Sequence, residues 1–582
     1  MTLGIEMSPA AQTGGRESGS ASRDVLVGLE ARGWSAESVP CAAKIAALAS
    51  LSTLPAPEPV ASVSYLSRGN VLIVAGDATD AARRCAERLA RDLPVTLLQE
   101  APAEPARGYT AWSGRIESLT GHLGEFSATI AGIAPTPEPL AARFDLVLDF
   151  SATPLFPMRQ PPQGYFRGTA DDALDRTLAE MRDAVGEFEK PRYFAFRESL
   201  CAHSRSEVIG CAKCIDACST GAISPDGDRV KVDPHLCMGC GTCATVCPSG
   251  AMTYQYPRAA ERGAQLRQVL KAYRDAGGAD ACIVFHDGGG RALLGRAAGS
   301  AGGLPGRAIP LEAWSVAAIG LDLLLPAIAY GASQVAILSA GAEGGEEKAA
   351  LREQMAIGEA ILAGLGRPGR HFALLEASDE AGLALALENL DPAPAAVPPA
   401  TFALSGDKRT SIEFAVEHLL RLAPEPPLEI ALPAGSPYGE VRVDAGKCTM
   451  CMSCVGACPE SALMDGVDEP LLKFVERNCV QCGLCEATCP EEAIALHPRM
   501  LLGAPAREAR ILNRTEPFHC VRCEKAFGTR QMIESMLGRL AGHSMFSTPE
   551  ARRRLQMCAD CRVIDMMSSP EEASVLKLGA DS

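Results

Sequence analysis

Residues 237–248 read CMGCGTCATVCP, four cysteines in eleven residues closed by a proline. The spacing Cys237-x2-Cys240-x2-Cys243-x3-Cys247-Pro248 recurs at Cys448, Cys451, Cys454, Cys458 and Pro459, and again at Cys479, Cys482, Cys485, Cys489 and Pro490. An irregular copy, Cys211-x2-Cys214-x3-Cys218, has Val208 at the expected first cysteine and Ser219 at the proline; its nearest upstream thiol is Cys201. Such compactness serves a cubic [4Fe–4S] cluster. A tight loop brings three sulfurs to three corners of one cube, and the fourth cysteine reaches across to a second. The proline ends the run by fixing φ and withholding an N–H, while Gly239, Gly241 and Gly483 let backbone amides approach the sulfurs. Zinc is the rival use of clustered thiols, but it takes them as two C-x2–4-C pairs, not as a four-cysteine run closed by proline.

The surrounding chain of 582 residues is too long for one core, and a prior of roughly 100–200 residues per domain predicts several folded units. Hydrophobic residues at 47% and charged residues at 22% are ordinary for a globular protein. A net charge of −16 and a pI near 5.2 disfavour nucleic acid or an anionic membrane surface and favour a protein partner. The start, MTLGIEMSPAAQTGGRESGSASRD, has neither an apolar signal core nor a twin-arginine pair, so a cytoplasmic location is expected. The most apolar stretch, SVAAIGLDLLLPAIAYGASQVAIL, is broken by Asp322, Pro326 and Gly331 and reads as buried core, with no integral membrane segment. In a reducing compartment, 23 cysteines point to metal or redox work and away from disulfides.

The pattern of runs predicts an α/β and α+β multidomain chain. Residues 1–24 lack apolar periodicity and read as a disordered tail. Residues 25–195 form an N-terminal α/β domain, announced by NVLIVAG, a helical DATDAARRCAERLARDL and PVTLL. Residues 196–257 and 438–500 are the two cysteine blocks. Between them, 258–400 alternates strands and helices, which implies a parallel sheet covered on both faces, and 401–437 is a linker with a helix. A small metal module occupies 510–570, where Cys520-x2-Cys523 and Cys558-x2-Cys561 flank the helical GTRQMIESMLGRL. Two such knuckles supply a tetrahedral S4 set suited to one structural Zn2+, with a rubredoxin-like Fe as the alternative. His519 and His543 are surplus to it. Cys41, Cys85 and Cys282, single thiols in apolar runs, read as buried structural residues.

The two blocks resemble the bacterial eight-iron ferredoxin family, each with two copies, a hairpin-like spacer and a closing extended stretch. Crossed ligation then implies four [4Fe–4S] clusters. Cys201, Cys211, Cys214 and Cys247 would hold the first, and Cys218, Cys237, Cys240 and Cys243 the second. Cys448, Cys451, Cys454 and Cys489 would hold the third, and Cys458, Cys479, Cys482 and Cys485 the fourth. Cys201 is the irregular member, seven residues before the position held by Val208. His203 is its nearest rival, in a stretch, AHSRS, that reads as a polar loop.

At larger scale, VGEFEKPRYFAF, DPHLCMGCGTCATVCPSGA and HCVRCEKAF…MCADCRVID resemble the multidomain 4Fe-4S binding proteins of proteobacteria, polyferredoxin-like chains often associated with formate dehydrogenases. The resemblance implies an accessory electron-transfer role with a redox partner such as a formate dehydrogenase, and no independent catalysis. Residues 280–390 look like the small iron–sulfur subunit of methyl-viologen-reducing hydrogenase, without that family's cysteines: Ser339, Ala340 and Gly341 stand near the expected ligand positions. After NVLIVAG, Gly76 has no companions in G-x-G-x-x-G register, and there is no P-loop, so a nicotinamide or flavin enzyme is disfavoured. Two competing readings remain: an Fe–S and Zn-stabilised assembly protein without electron transfer, and an enzyme with an open iron beside Cys201.

Overall fold

The computed structural model describes residues 39–102, 108–132, 138–168, 171–298, 304–341, 343–390, 394–466 and 469–568. The expected tail at 1–24 lies outside them. Strands buried on both faces need near-continuous apolar runs, and Val71–Val74 is one. It centres a sheet of five parallel strands, with Val95–Gln99 and Thr110–Ser113 on one side and Leu146–Asp149 and Tyr165–Arg167 on the other. Val71 and Ile73 face the helices Thr79–Leu89 and Asp171–Asp183 through Cys85, Leu89, Leu178 and Met181. Leu72 and Val74 face the opposite way, onto Phe126, Ile130 and Phe144 of an antiparallel meander, Arg115–Thr120, Phe126–Ala131 and Leu140–Phe144.

A second parallel sheet has four strands in the order Ala308–Glu312, Cys282–His286, Gln334–Ser339 and Phe372–Glu376. Ile283, Phe285, Val335 and Ile337 line its larger core; Cys282, Val284, Ala336 and Leu338 line the other face. The apolar stretch is core as expected, with the helix Leu321–Ala329 almost wholly buried. Two sequence boundaries move. The helix Val39–Ser50, grouped by sequence with the N-terminal domain, packs instead on Ala259–Asp275, where Ala43, Ala47 and Leu48 meet Leu266, Val269 and Leu270. Cys41 lies in that helix, with its side chain outside the described residues. The 401–437 stretch is no mere linker either: its helix Lys408–Arg421 presents Ile412, Ala415, Val416 and Leu419, an i, i+3, i+4, i+7 stripe, to the same core against Leu321–Ala329.

Each cysteine block folds around one hairpin and one closing antiparallel pair. In the first block these are Ile223–Asp226 with Arg229–Val232, and Phe194–Phe196 with Met252–Tyr254. In the second they are Leu463–Asp465 with Leu471–Phe474, and Gly439–Val443 with Ile494–Leu501. Arg510–Arg514 adds a strand to Leu471–Phe474, so the second block reaches past residue 500. The C-terminal module then has a hairpin, Pro517–His519 with Ala526–Thr529, and the helices Arg530–Leu540, Pro549–Leu555 and Ala559–Ser568. Among the described residues no helix is long and apolar enough to cross a membrane.

Leu324, fully buried in the larger core, tests this arrangement. Leu324→Ala is expected to cost about 2–5 kcal/mol in the unfolding of that α/β unit, measured by urea titration, because the cavity left behind collapses only in part.

Candidate metal centres

The three complete cysteine copies share a backbone device. The residues on either side of the second cysteine are left-handed in every one: Gly239 and Gly241 at φ 77° and 81°, Met450 and Met452 at 57° and 62°, Gln481 and Gly483 at 53° and 85°. This winds the loop tightly enough to turn three sulfurs inward, and it strains the non-glycine residues. In the irregular copy Ala212, the residue after Cys211, has φ −114°, so that loop is built differently. The last cysteine of each complete copy receives a backbone amide: Met252 N donates to Cys247 Sγ at 3.4 Å, Ala462 N to Cys458 Sγ at 3.3 Å and Ala493 N to Cys489 Sγ at 3.4 Å. Such donors stabilise thiolate charge.

The thiols gather in four groups. Burial, then Cys448, Cys451 and Cys489, pushes the Cys454 thiol up to about 12, and these four side chains line a void of about 20 Å³. Cys458, Cys479, Cys482 and Cys485 line another of about 20 Å³. Cys243 is raised by burial and by Cys240, Cys237 and Cys218. Cys214 is pushed up to about 12 by burial and by Cys247, Cys211 and Cys201. Cys201 is near enough to Cys214 for their charges to interact, and His203 Nδ1 lies 2.9 Å from the carbonyl of Cys211. Thiols that raise one another's pKa cannot all ionise in a buried space without a cation among them, and this donor chemistry fits an iron–sulfur cluster. A bound cluster would supply one-electron redox chemistry there.

Neighbouring groups also lie near enough for their charges to act on one another. Cys243 feels Cys214, Cys485 feels Cys454, and Cys482 of the second block feels Cys211 of the first. On the far flank Lys190 Nζ donates to the carbonyls of His235 at 2.7 Å and Cys237 at 2.8 Å, and burial lowers its pKa to about 8.

The four C-terminal knuckle cysteines meet with their sulfurs within 4.8 Å of one another, and Cys523 Sγ lies 3.7 Å from Cys558 Sγ. A tetrahedron with metal–sulfur bonds of about 2.3 Å has edges of about 3.8 Å, so these residues fit a single tetrahedral ion. Burial opposes ionisation of Cys520, but hydrogen bonds from the backbone of Cys558, Cys523 and Arg522 outweigh it and bring that thiol down to about 6. Thr529 Oγ1 donates to the carbonyl of Thr449 at 2.9 Å, which seats this module beside Cys448.

A further group escaped the sequence reading. His122 and His235 stack at 4.3 Å and 12°, with Asp233 Oδ1 3.6 Å from His235 Nδ1, and one ligand atom from each of the three lies within 4.8 Å of the others. His122 and Asp233 lie in different domains, and no spacing rule joins residues so far apart. Gly76, read in the sequence as lacking glycine companions, stands beside a polar cluster. At the switch point of the five-stranded sheet, Asp149 accepts hydrogen bonds from Ser151 N, Leu155 N and the hydroxyl of Tyr165, and a Cβ on Gly76 would stand 2.7 Å from the Ser151 Cα. Cys85 and Cys282 are buried in the two α/β cores, apart from the cysteine groups.

The knuckle geometry makes a local prediction. Cys520→Ser should expose the chain beyond residue 510 to protease and leave the iron–sulfur absorbance intact, since a structural ion contributes folding energy where it binds. Loss of that absorbance would tie the knuckles to the clusters instead.

Comparison with known families agrees with this geometry. Residues 209–251 and 447–494 each match the family described as the 4Fe-4S dicluster domain. The first match begins after Cys201. No curated protein matches the chain. The chain thus carries two 4Fe-4S dicluster ferredoxin domains within a larger, mixed helix and strand protein.

Proposed function

We propose that the chain is a multi-cluster electron-transfer protein of the polyferredoxin type, with four [4Fe–4S] clusters in two eight-iron modules and one structural zinc. It serves as an accessory or subunit that passes electrons to or from a partner oxidoreductase in the cytoplasm, a formate dehydrogenase being the first partner to test. The observation that supports this reading is the gathering of cysteines of the two matched domains, with Cys201 just before the first, into four groups whose charges act on one another. Cys201, Cys211, Cys214 and Cys247 hold one cluster; Cys218, Cys237, Cys240 and Cys243 a second; Cys448, Cys451, Cys454 and Cys489 a third; Cys458, Cys479, Cys482 and Cys485 a fourth. Cys520, Cys523, Cys558 and Cys561 hold the zinc.

The protein's own part is to position and to tune. Amides at Met252, Ala462 and Ala493 and the lysine at 190 place positive potential beside anionic sulfurs, which favours the reduced state. The acidic surface implied by the net charge of −16 suits a partner with a basic docking patch.

Anaerobic reconstitution should yield about sixteen iron atoms and one zinc per chain; about eight iron atoms would remove one module from the account. Reductive titration followed by EPR should show reversible reduction, with electrons passing on to an added oxidoreductase. Irreversible reduction would favour the assembly reading. Cys201→Ser should convert one cluster in four to a three-iron or oxygen-labile form, and an unchanged iron count and spectrum would remove Cys201 from the ligand set.

A further inference from the structure

The residues that set Cys201 apart from Cys211 form a built element. Gly210 N donates to the His203 carbonyl at 2.7 Å and Cys211 N to the Ala202 carbonyl at 2.9 Å, so the chain returns to the point from which it left. Between these bonds Ser204–Arg205 pairs with Val208–Ile209 around a tip where Ser206 and Glu207 are left-handed, at φ 49° and 68°. Asp228 braces the tip, its Oδ1 accepting from Ser206 N at 3.0 Å.

This small hairpin meets the second ferredoxin module. Arg205 Nε donates to the Gly456 carbonyl at 3.3 Å. Leu484 lies so close to Gly210 that a Cβ there would stand 2.5 Å from its Cγ. The two contact residues immediately precede Cys211 and Cys485, so the approach is made by the ligand loops themselves.

A second contact, from another part of the chain, spans the same junction. The helix Lys408–Arg421 begins between the modules, its N-terminus capped by Asp407, which accepts from Thr410 N at 2.8 Å. Lys408 Nζ donates to the carbonyls of Ala244 at 2.8 Å, Thr245 at 2.6 Å and Cys247 at 3.2 Å. Arg409 reaches both modules. One arm donates to Pro248 O at 3.2 Å and Pro437 O at 3.0 Å, the other to Arg477 O at 2.9 Å and Cys479 O at 3.0 Å. The guanidinium lies over the ring of Tyr438, 4.4 Å from its centroid.

We propose that the Ser204–Ile209 hairpin and Arg409 together lock the two ferredoxin modules into one continuous path, crossed between the Cys211 and Cys482 loops. The order of sites along it is Cys237, Cys201, Cys479, Cys448, each named by one of its cysteines. The proposal rests on the electron-transfer reading. Exchange along the path moves one electron between neighbours, one site losing what the next gains, with no bond made or broken. Arg409 and the hairpin act by positioning. The lengthened loop, a defect in the ferredoxin spacing, is thereby the device that joins two ferredoxins.

The test uses the full chain, anaerobically reconstituted, as wild type, Arg409→Met and Arg409→Lys. At equal iron content, Arg409→Met should lose the magnetic broadening that the modules impose on each other at full reduction. Its electron equilibration between modules after flash reduction should slow on the order of tenfold, as expected when reacting centres are misplaced. Arg409→Lys should fall between. Unchanged broadening and equilibration in Arg409→Met overturn the proposal. Should Arg409→Met lose iron, hydrogen–deuterium exchange on the wild-type holoprotein decides, because a two-stranded hairpin alone is marginal in water. Protection of the Val208–Gly210 amides supports docking, and exchange at the rate of an open loop refutes it. A chain whose sites fail to reduce reversibly sinks the electron-transfer reading, while the exchange measurement still reads the docking by itself.

Discussion

Four sulfurs crowded into one buried pocket are the constraint on which the ferredoxin modules depend. Burial and mutual repulsion keep Cys214, Cys454 and Cys482 protonated far above the ordinary thiol range when no cation is present. A metal cluster reverses that penalty and turns repulsion into binding energy for the fold. The loops reach this geometry through paired left-handed residues, and non-glycine side chains such as Met450 and Gln481 accept the strain.

Around these pockets the α/β units act as a frame. The larger one sends Lys408 and Arg409 into the junction from a helix whose apolar stripe is buried in its own core. The cations are therefore held by packing as well as by charge. They bind carbonyl oxygens at the ends of ligand loops, where small displacements would alter the spacing of the sites. The N-terminal unit contributes on the opposite flank, through Lys190 and through Tyr65, whose hydroxyl donates to His235 O at 2.6 Å.

The C-terminal knuckle module sits at the other end of the row, joined to Thr449 through Thr529 and to Glu491 through Arg539. The two flanks of the ferredoxin blocks are thus covered by structurally different units. One is covered by an α/β unit and the other by the four-cysteine knuckle module.

The sequence by itself marked the candidate donor runs, because ligand spacing within one loop is a local property: three thiols within seven residues can reach only one small object. It also determined the buried strands, since Val71–Val74 and Gln334–Ser339 are apolar on both faces. Tertiary structure alone decided what lies far apart in the chain. The placement of Val39–Ser50 on Ala259–Asp275 and of Lys408–Arg421 in the α/β core depends on which apolar stripe finds which groove, and periodicity names the stripe but not its partner. The meeting of His122 with His235, the approach of Cys211 to Cys482, and the bridge made by Arg409 are of the same kind. Each rests on contacts between segments joined by long stretches of chain, whose closure is driven by the burial of whole domains and leaves no trace in local spacing.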